Sequence, residues 1–162
     1  MSIQLGDSLP DMELQIMGQE GPEKVATRDL FAGKRVVLFA VPGAFTPGCT
    51  QTHLPGFVVK ADEIKARGVD QIICTAVNDI FVLDAWARSQ NAEHILMLAD
   101  GQGDFAATLG LDQDLSAMQM GKRSQRYAMI VDDGRVEALK VDPKGVDQSS
   151  ADSILEELDK AG

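Results

Sequence analysis

The chain has 162 residues, 44% of them hydrophobic and 25% charged, which suits one globular domain (residues 1–162) with a sizeable core and excludes a disordered chain. Twenty-five acidic against 15 basic residues leave a net charge of −10. A phosphate backbone would be repelled, and the one basic knot (Lys122, Arg123, Arg126) is too small to hold nucleic acid. The N-terminal MSIQLGDSLP lacks the basic and apolar regions of a signal peptide, and the longest apolar run, Val36 to Val41, is far too short to cross a bilayer. A cytoplasmic protein with no membrane partner is expected, its two cysteines free thiols rather than a staple.

In chain order, residues 1–30 read as an accessory segment with one short strand around Glu13 to Met17. RVVLFAV (35–41) and QIICTAV (71–77) are almost continuously apolar, as strands covered on both faces should be. Between them Leu54, Phe57, Val58, Ala61 and Ile64 keep helical spacing within Thr50 to Arg67, with Gly68 as the stop. Pro55-Gly56 predicts a kink in that helix. A second helix is expected from Ile80 to Gln90, capped by Asp79, followed by a strand HILMLA (94–99) and a short helix from Asp104 to Leu109. RYAMIVD (126–132) and RVEALKV (135–141) flank Asp133-Gly134, a pair suited to a tight hairpin, and a last helix covers Ala151 to Lys160. This order predicts an α/β chain with a mixed central sheet and flanking helices. It resembles the thioredoxin-like fold.

The chemistry concentrates in VPGAFTPGCTQTH (41–53), a loop that leaves a buried strand and opens a helix. Thr46 and Pro47 read as N-cap and first helical residue, which puts Cys49 in the first turn. Unpaired backbone N–H groups and the positive end of the helix dipole favour thiolate over thiol there. The carboxyl end of a strand in an open α/β sheet is also where such folds hold ligands. Most free cysteines are simply small buried hydrophobes, but this position and the glycine-proline loop point to a reactive one. His53, four residues on, lies on the same helical face and is read as scaffold, with a general base as the alternative. Cys49, His53, Cys74 and His94 have no recognised zinc-ligand spacing. Cys74, mid-strand in QIICTAV, reads as buried and inert.

Pro42-x-x-x-Thr46-x-x-Cys49 resembles the active-site signature of the peroxiredoxins. The longer VPGAFTPGC…THLPGF is similar to the atypical type II, or peroxiredoxin-five-like, subgroup, and the likeness extends through TAVNDIFVLDAWAR (75–88) and RYAMIVDDGRVEAL (126–139). The resemblance implies a thiol peroxidase in which Cys49 attacks hydrogen peroxide or a small alkyl hydroperoxide and becomes a sulfenic acid. It makes Arg126 the cation beside the sulfur, Thr46 a hydroxyl on thiolate and peroxide, and Pro42 a shield from water. Gly48 and Phe45 join Pro42 around the substrate; Leu115, Met118 and Met120, beside Phe45, read either as an apolar collar that admits alkyl hydroperoxides or as core or dimer-contact residues. No cofactor is implied, because sulfur supplies both electrons. Recycling falls to glutaredoxin with glutathione or to thioredoxin, and a homodimer through loops near the site is expected. Plant-like type II members carry a cysteine at the spacing of Cys74, so a resolving role stays open; the human-like position, within 142–153, has none. The rival readings are a Cys–His hydrolase built on Cys49 and His53, and a non-enzymatic redox sensor.

Overall fold

The computed structural model describes residues 2–161. A seven-stranded sheet organises them in the order β2-β1-β5-β4-β3-β8-β9. Its centre is β3 (Arg35–Ala40), β4 (Gln71–Ala76) and β5 (Ile95–Ala99), mutually parallel. The hairpin of β8 (Arg126–Asp132) and β9 (Arg135–Asp142) adds antiparallel to β3. Asp133 and Gly134 both take positive φ at its turn, as a two-residue hairpin loop requires. This is the thioredoxin-like architecture that the element order predicts.

The apolar runs are continuous because both faces of the central strands are covered. Alternate residues of β3 feed two cores. Val37 and Phe39 join Cys74, Trp86 and Ile154 on one face; Val36, Leu38 and Ala40 join Phe31, Phe105 and Tyr127 on the other. The first core lies under α2 (Leu54–Ala66), α3 (Ile80–Ser89) and α5 (Ala151–Ala161). Asp79 caps α3 as expected, its Oδ1 accepting from the Val82 N–H at 2.9 Å. α4 (Asp104–Leu109) is bracketed by Gly103 and Gly110, both in the left-handed region.

Three differences from the sequence reading stand out. The accessory segment holds two strands, β1 (Glu13–Gly18) and β2 (Gly21–Ala26), and β1 joins the main sheet against β5. β2 (GPEKVA) escapes notice because it is an edge strand: Pro22 and Lys24 suit a rim that must not pair further. A helix α1 (Thr27–Phe31) and a two-stranded ribbon, β6 (Asp112–Asp114) with β7 (Lys122–Ser124), are too short to carry a period.

The third difference lies at the helix that follows β3. The expected kink at Pro55-Gly56 is displaced upstream, where Cys49–His53 forms a π-helical turn that closes with Leu54 N–H donating to the Cys49 carbonyl. In a regular helix the ring of Pro55 would press on the Gln51 carbonyl, with no N–H to bond it. A wider turn relieves that clash, and the irregularity therefore lands on the segment that carries the candidate nucleophile.

Candidate active site

Helical geometry begins at Pro47, and the first bond of the ladder runs from Thr50 N–H to the Thr46 carbonyl at 3.0 Å. The N–H groups of Gly48 and Cys49 precede that bond, so the first turn has donors to spare, as the sequence predicts. The capping detail differs. Thr46 does not cap with its hydroxyl; Oγ1 donates to the Gly43 carbonyl at 2.6 Å. That bond ties the loop into a compact turn, and the Ala44 N–H secures it to Asn78 Oδ1 at 2.9 Å. Phe45 sits at its crest, 54% exposed and with φ 66°, an uncommon conformation for an aromatic residue.

Cys49 is fully buried, yet its sulfur is not in purely apolar company. Arg126, the first residue of β8, reaches across the sheet end and donates from Nη2 to Cys49 Sγ at 3.2 Å. The same guanidinium places Nη1 at 2.9 Å from His53 Nδ1. Guanidinium has no acceptor, so Nδ1 must be the acceptor; Nε2 then carries the proton and donates to the Ser149 carbonyl at 2.9 Å. Burial, the largest cause, pulls the imidazole down to about 4; the positive Arg126 adds to the fall, while the Ser149 bond and Asp142 oppose it. His53 is thus neutral at physiological pH with both ring nitrogens engaged. It cannot take a proton from Cys49, which removes the Cys–His hydrolase reading and gives the scaffold reading a content: His53 aims Arg126.

The other predicted residues surround this pair. A Cβ added at Gly48 would lie 3.1 Å from Arg126 Nη2, so glycine here makes room for the guanidinium. Pro42 is half-buried at the loop entrance. Met120 and Arg123 both abut buried Gly43, where an added Cβ would meet their side chains at 3.4 and 3.2 Å. Arg123 is occupied there, its Nε donating to the Met120 carbonyl, and Arg126 alone of the basic knot reaches the sulfur. Met118 is 66% exposed near this segment, and Leu115 is half-buried. Below the turn, Trp86 Nε1 donates to Thr50 Oγ1 at 3.0 Å.

Cys74 is as buried as Cys49, in mid-strand between Phe39 and Met97. Burial drives its thiol well above the ordinary range, reinforced by Cys49 and only partly offset by Arg126. Both cysteines are free. Asp142, at the end of β9, and Ser149 are missed by sequence reasoning, because the only feature the resemblance marks in residues 142–153 is a cysteine that is absent.

The redoxin family model matches residues 4–155. Peroxiredoxin-2B of Arabidopsis thaliana is 43% identical over 96% of this chain and 98% of that protein. The chloroplastic peroxiredoxin-2E of the same plant is 44% identical over 97% of this chain and 70% of its own length. Among solved structures, reduced Prx3 from Vibrio vulnificus in complex with hydrogen peroxide superposes with a TM-score of 0.93 at 52% identity, covering 96% of this chain and 99% of that one. The chain belongs to the peroxiredoxin family. It is accordingly a thiol-dependent peroxidase and an oxidoreductase.

Proposed function

We propose that Cys49 is the peroxidatic nucleophile and that it reduces hydrogen peroxide and small alkyl hydroperoxides through a sulfenic acid. The observation that carries this reading is the 3.2 Å contact from Arg126 Nη2 to a sulfur buried at a helix start. The sulfur attacks one peroxide oxygen; the S–O bond forms as the O–O bond breaks. Sulfur loses two electrons, and the other oxygen leaves as water or alcohol once protonated. Arg126 stabilises charge passing from sulfur to the peroxide oxygens, and the N–H groups that precede the first rung of the helix are available as further donors. Thr46 Oγ1 keeps acceptor capacity for a peroxide hydroxyl while its own proton is held by Gly43. Pro42 and Phe45 wall the entrance, and Gly48 leaves the space that Arg126 fills.

The cycle closes with an external thiol, glutaredoxin with glutathione or thioredoxin: the sulfenic acid exchanges its oxygen, as water, for a mixed disulfide, and a second thiol releases Cys49. Cys49 is fully buried, so a thiol reductant reaches its sulfur only when the helix start opens. Cys74 is a poor resolving partner, because it lies mid-strand in a strand hydrogen-bonded to both neighbours, which does not move cheaply to meet Cys49. We place the chain in the type II subgroup, working as one domain in a reducing cytoplasm. The exposed Phe45 and Met118 are covered in a homodimer, which sedimentation tests. Peroxide consumption with each reductant supplied separately tests the function. Intact mass after one equivalent of peroxide should rise by one oxygen and then by glutathione; loss of two protons with a Cys49–Cys74 peptide would refute the one-cysteine cycle.

A further inference from the structure

Arg126 and Asp142 face each other in register across β8 and β9. The expected outcome of such a pairing is an ion pair, and among the described residues Arg126 has none. Asp142, only 5% exposed, is engaged elsewhere. Its Oδ2 accepts from Asp147 N–H at 3.0 Å, Ser149 N–H at 2.8 Å and Ser149 Oγ at 2.6 Å, and its Oδ1 accepts from Gln148 N–H at 3.0 Å. Burial opposes its charge, yet these bonds hold the carboxyl below its ordinary range.

The consequence is geometric. Four bonds to one carboxylate fold residues 147–149 into a fixed loop, and that loop delivers the Ser149 carbonyl to His53 Nε2. A carbonyl accepts only, so it fixes the proton on Nε2 and the lone pair on Nδ1, where Arg126 Nη1 donates. The remaining arm of Arg126 points at Cys49 Sγ. The His53 ring is confined by Phe39 and Phe57, with centroids at 5.1 and 5.6 Å, so a change at either nitrogen is passed on rather than absorbed by ring rotation.

We propose that Asp142 is a positioning residue for the peroxidatic centre: it builds the 147–149 loop that fixes the His53 tautomer, and thereby aims Arg126 at Cys49 while forming no ion pair with that arginine. This rests on the reading of Cys49 as nucleophile, and the test separates the two. In the reduced full chain, two-bond proton–nitrogen NMR of the His53 ring should show one neutral tautomer with the proton on Nε2. In Asp142→Asn, which cannot accept all four bonds, the ring should show mixed tautomers. Single-turnover oxidation of Cys49 by hydrogen peroxide should then slow on the order of ten- to a hundredfold, the scale of losing an outer-sphere partner. In a His53→Ala background the same substitution should add little, because Asp142 acts through the ring. An unchanged tautomer with an unchanged rate overturns the proposal, as does a rate loss fully additive with His53→Ala. If Asp142→Asn does not fold, Asp142→Glu, which keeps the charge and moves it by one methylene, carries the same measurements with the same criteria. Wild-type protein that peroxide leaves unoxidised would refute the peroxidatic reading alone, since the ring signature needs no peroxide.

Discussion

Cys49 and Cys74 are equally inaccessible, both at 0% exposure and both in the core beneath α2, yet their surroundings are opposite. Cys49 lies at the ragged start of a helix, with backbone donors to spare and a guanidinium on its sulfur. Cys74 lies where backbone groups are consumed by two neighbouring strands, and no hydrogen bond to its sulfur is found among the described residues. Burial alone therefore does not decide whether a thiol is inert. What decides is whether the fold leaves polar groups uncommitted beside it, and helix starts do so while central strands do not.

The largest expected effect breaks the comparison outright. Cys49→Ser should abolish peroxide reduction, whereas Cys74→Ser should keep the first turnover, both followed by stopped-flow peroxide consumption. Next, Arg126→Gln removes the charged donor but keeps a polar side chain. It should slow Cys49 oxidation by roughly 10²–10³-fold, the usual cost of losing one preorganised donor.

Acid sharpens the contrast from the Cys49 side. Burial holds His53 at about 4, against 6.5 for a free imidazole. Between those values the folded protein binds fewer protons than the unfolded chain, so the contribution is complete above pH 6.5 and is lost as pH falls towards 4. The loss amounts to about 3 kcal/mol and should be visible in urea midpoints, with His53→Gln flattening the profile. Asp142, held below the ordinary carboxyl value, adds its own loss only at lower pH. The smallest effect probes Cys74. Cys74→Ser should cost about 1–2 kcal/mol more stability than Cys74→Ala, because it leaves a hydroxyl unpaired among apolar strands.

The central strands were legible because a sheet covered on both faces needs long apolar runs, and the Asp79 cap and the Asp133-Gly134 turn because each is a local device. Cys49 and Arg126 were legible as residue types in a pattern. β2 was not, since an edge strand needs no apolar face. The π-helical turn was hidden because its cause, Pro55, acts on a carbonyl four residues upstream. Asp142 and Ser149 were hidden for another reason: a carboxylate gathering loop N–H groups has no period, and its purpose shows only when β9 lies beside β8.

Pro55 has one more consequence, which is mechanical. The last rung of the π-helical turn joins Leu54 to Cys49, and the next residue has no N–H with which to make another. The helix is perforated at that point. Unwinding from Pro47 breaks the rungs up to Leu54, with the latches from Trp86 to Thr50 and from Arg126 to His53, and no rung at Pro55 carries the tear onward. Phe57, Ala61 and Ile64 stay anchored in the core beyond it. Local opening of residues 47–54 would therefore uncover Cys49 without disturbing the core contacts of the helix beyond Pro55 or the sheet behind it.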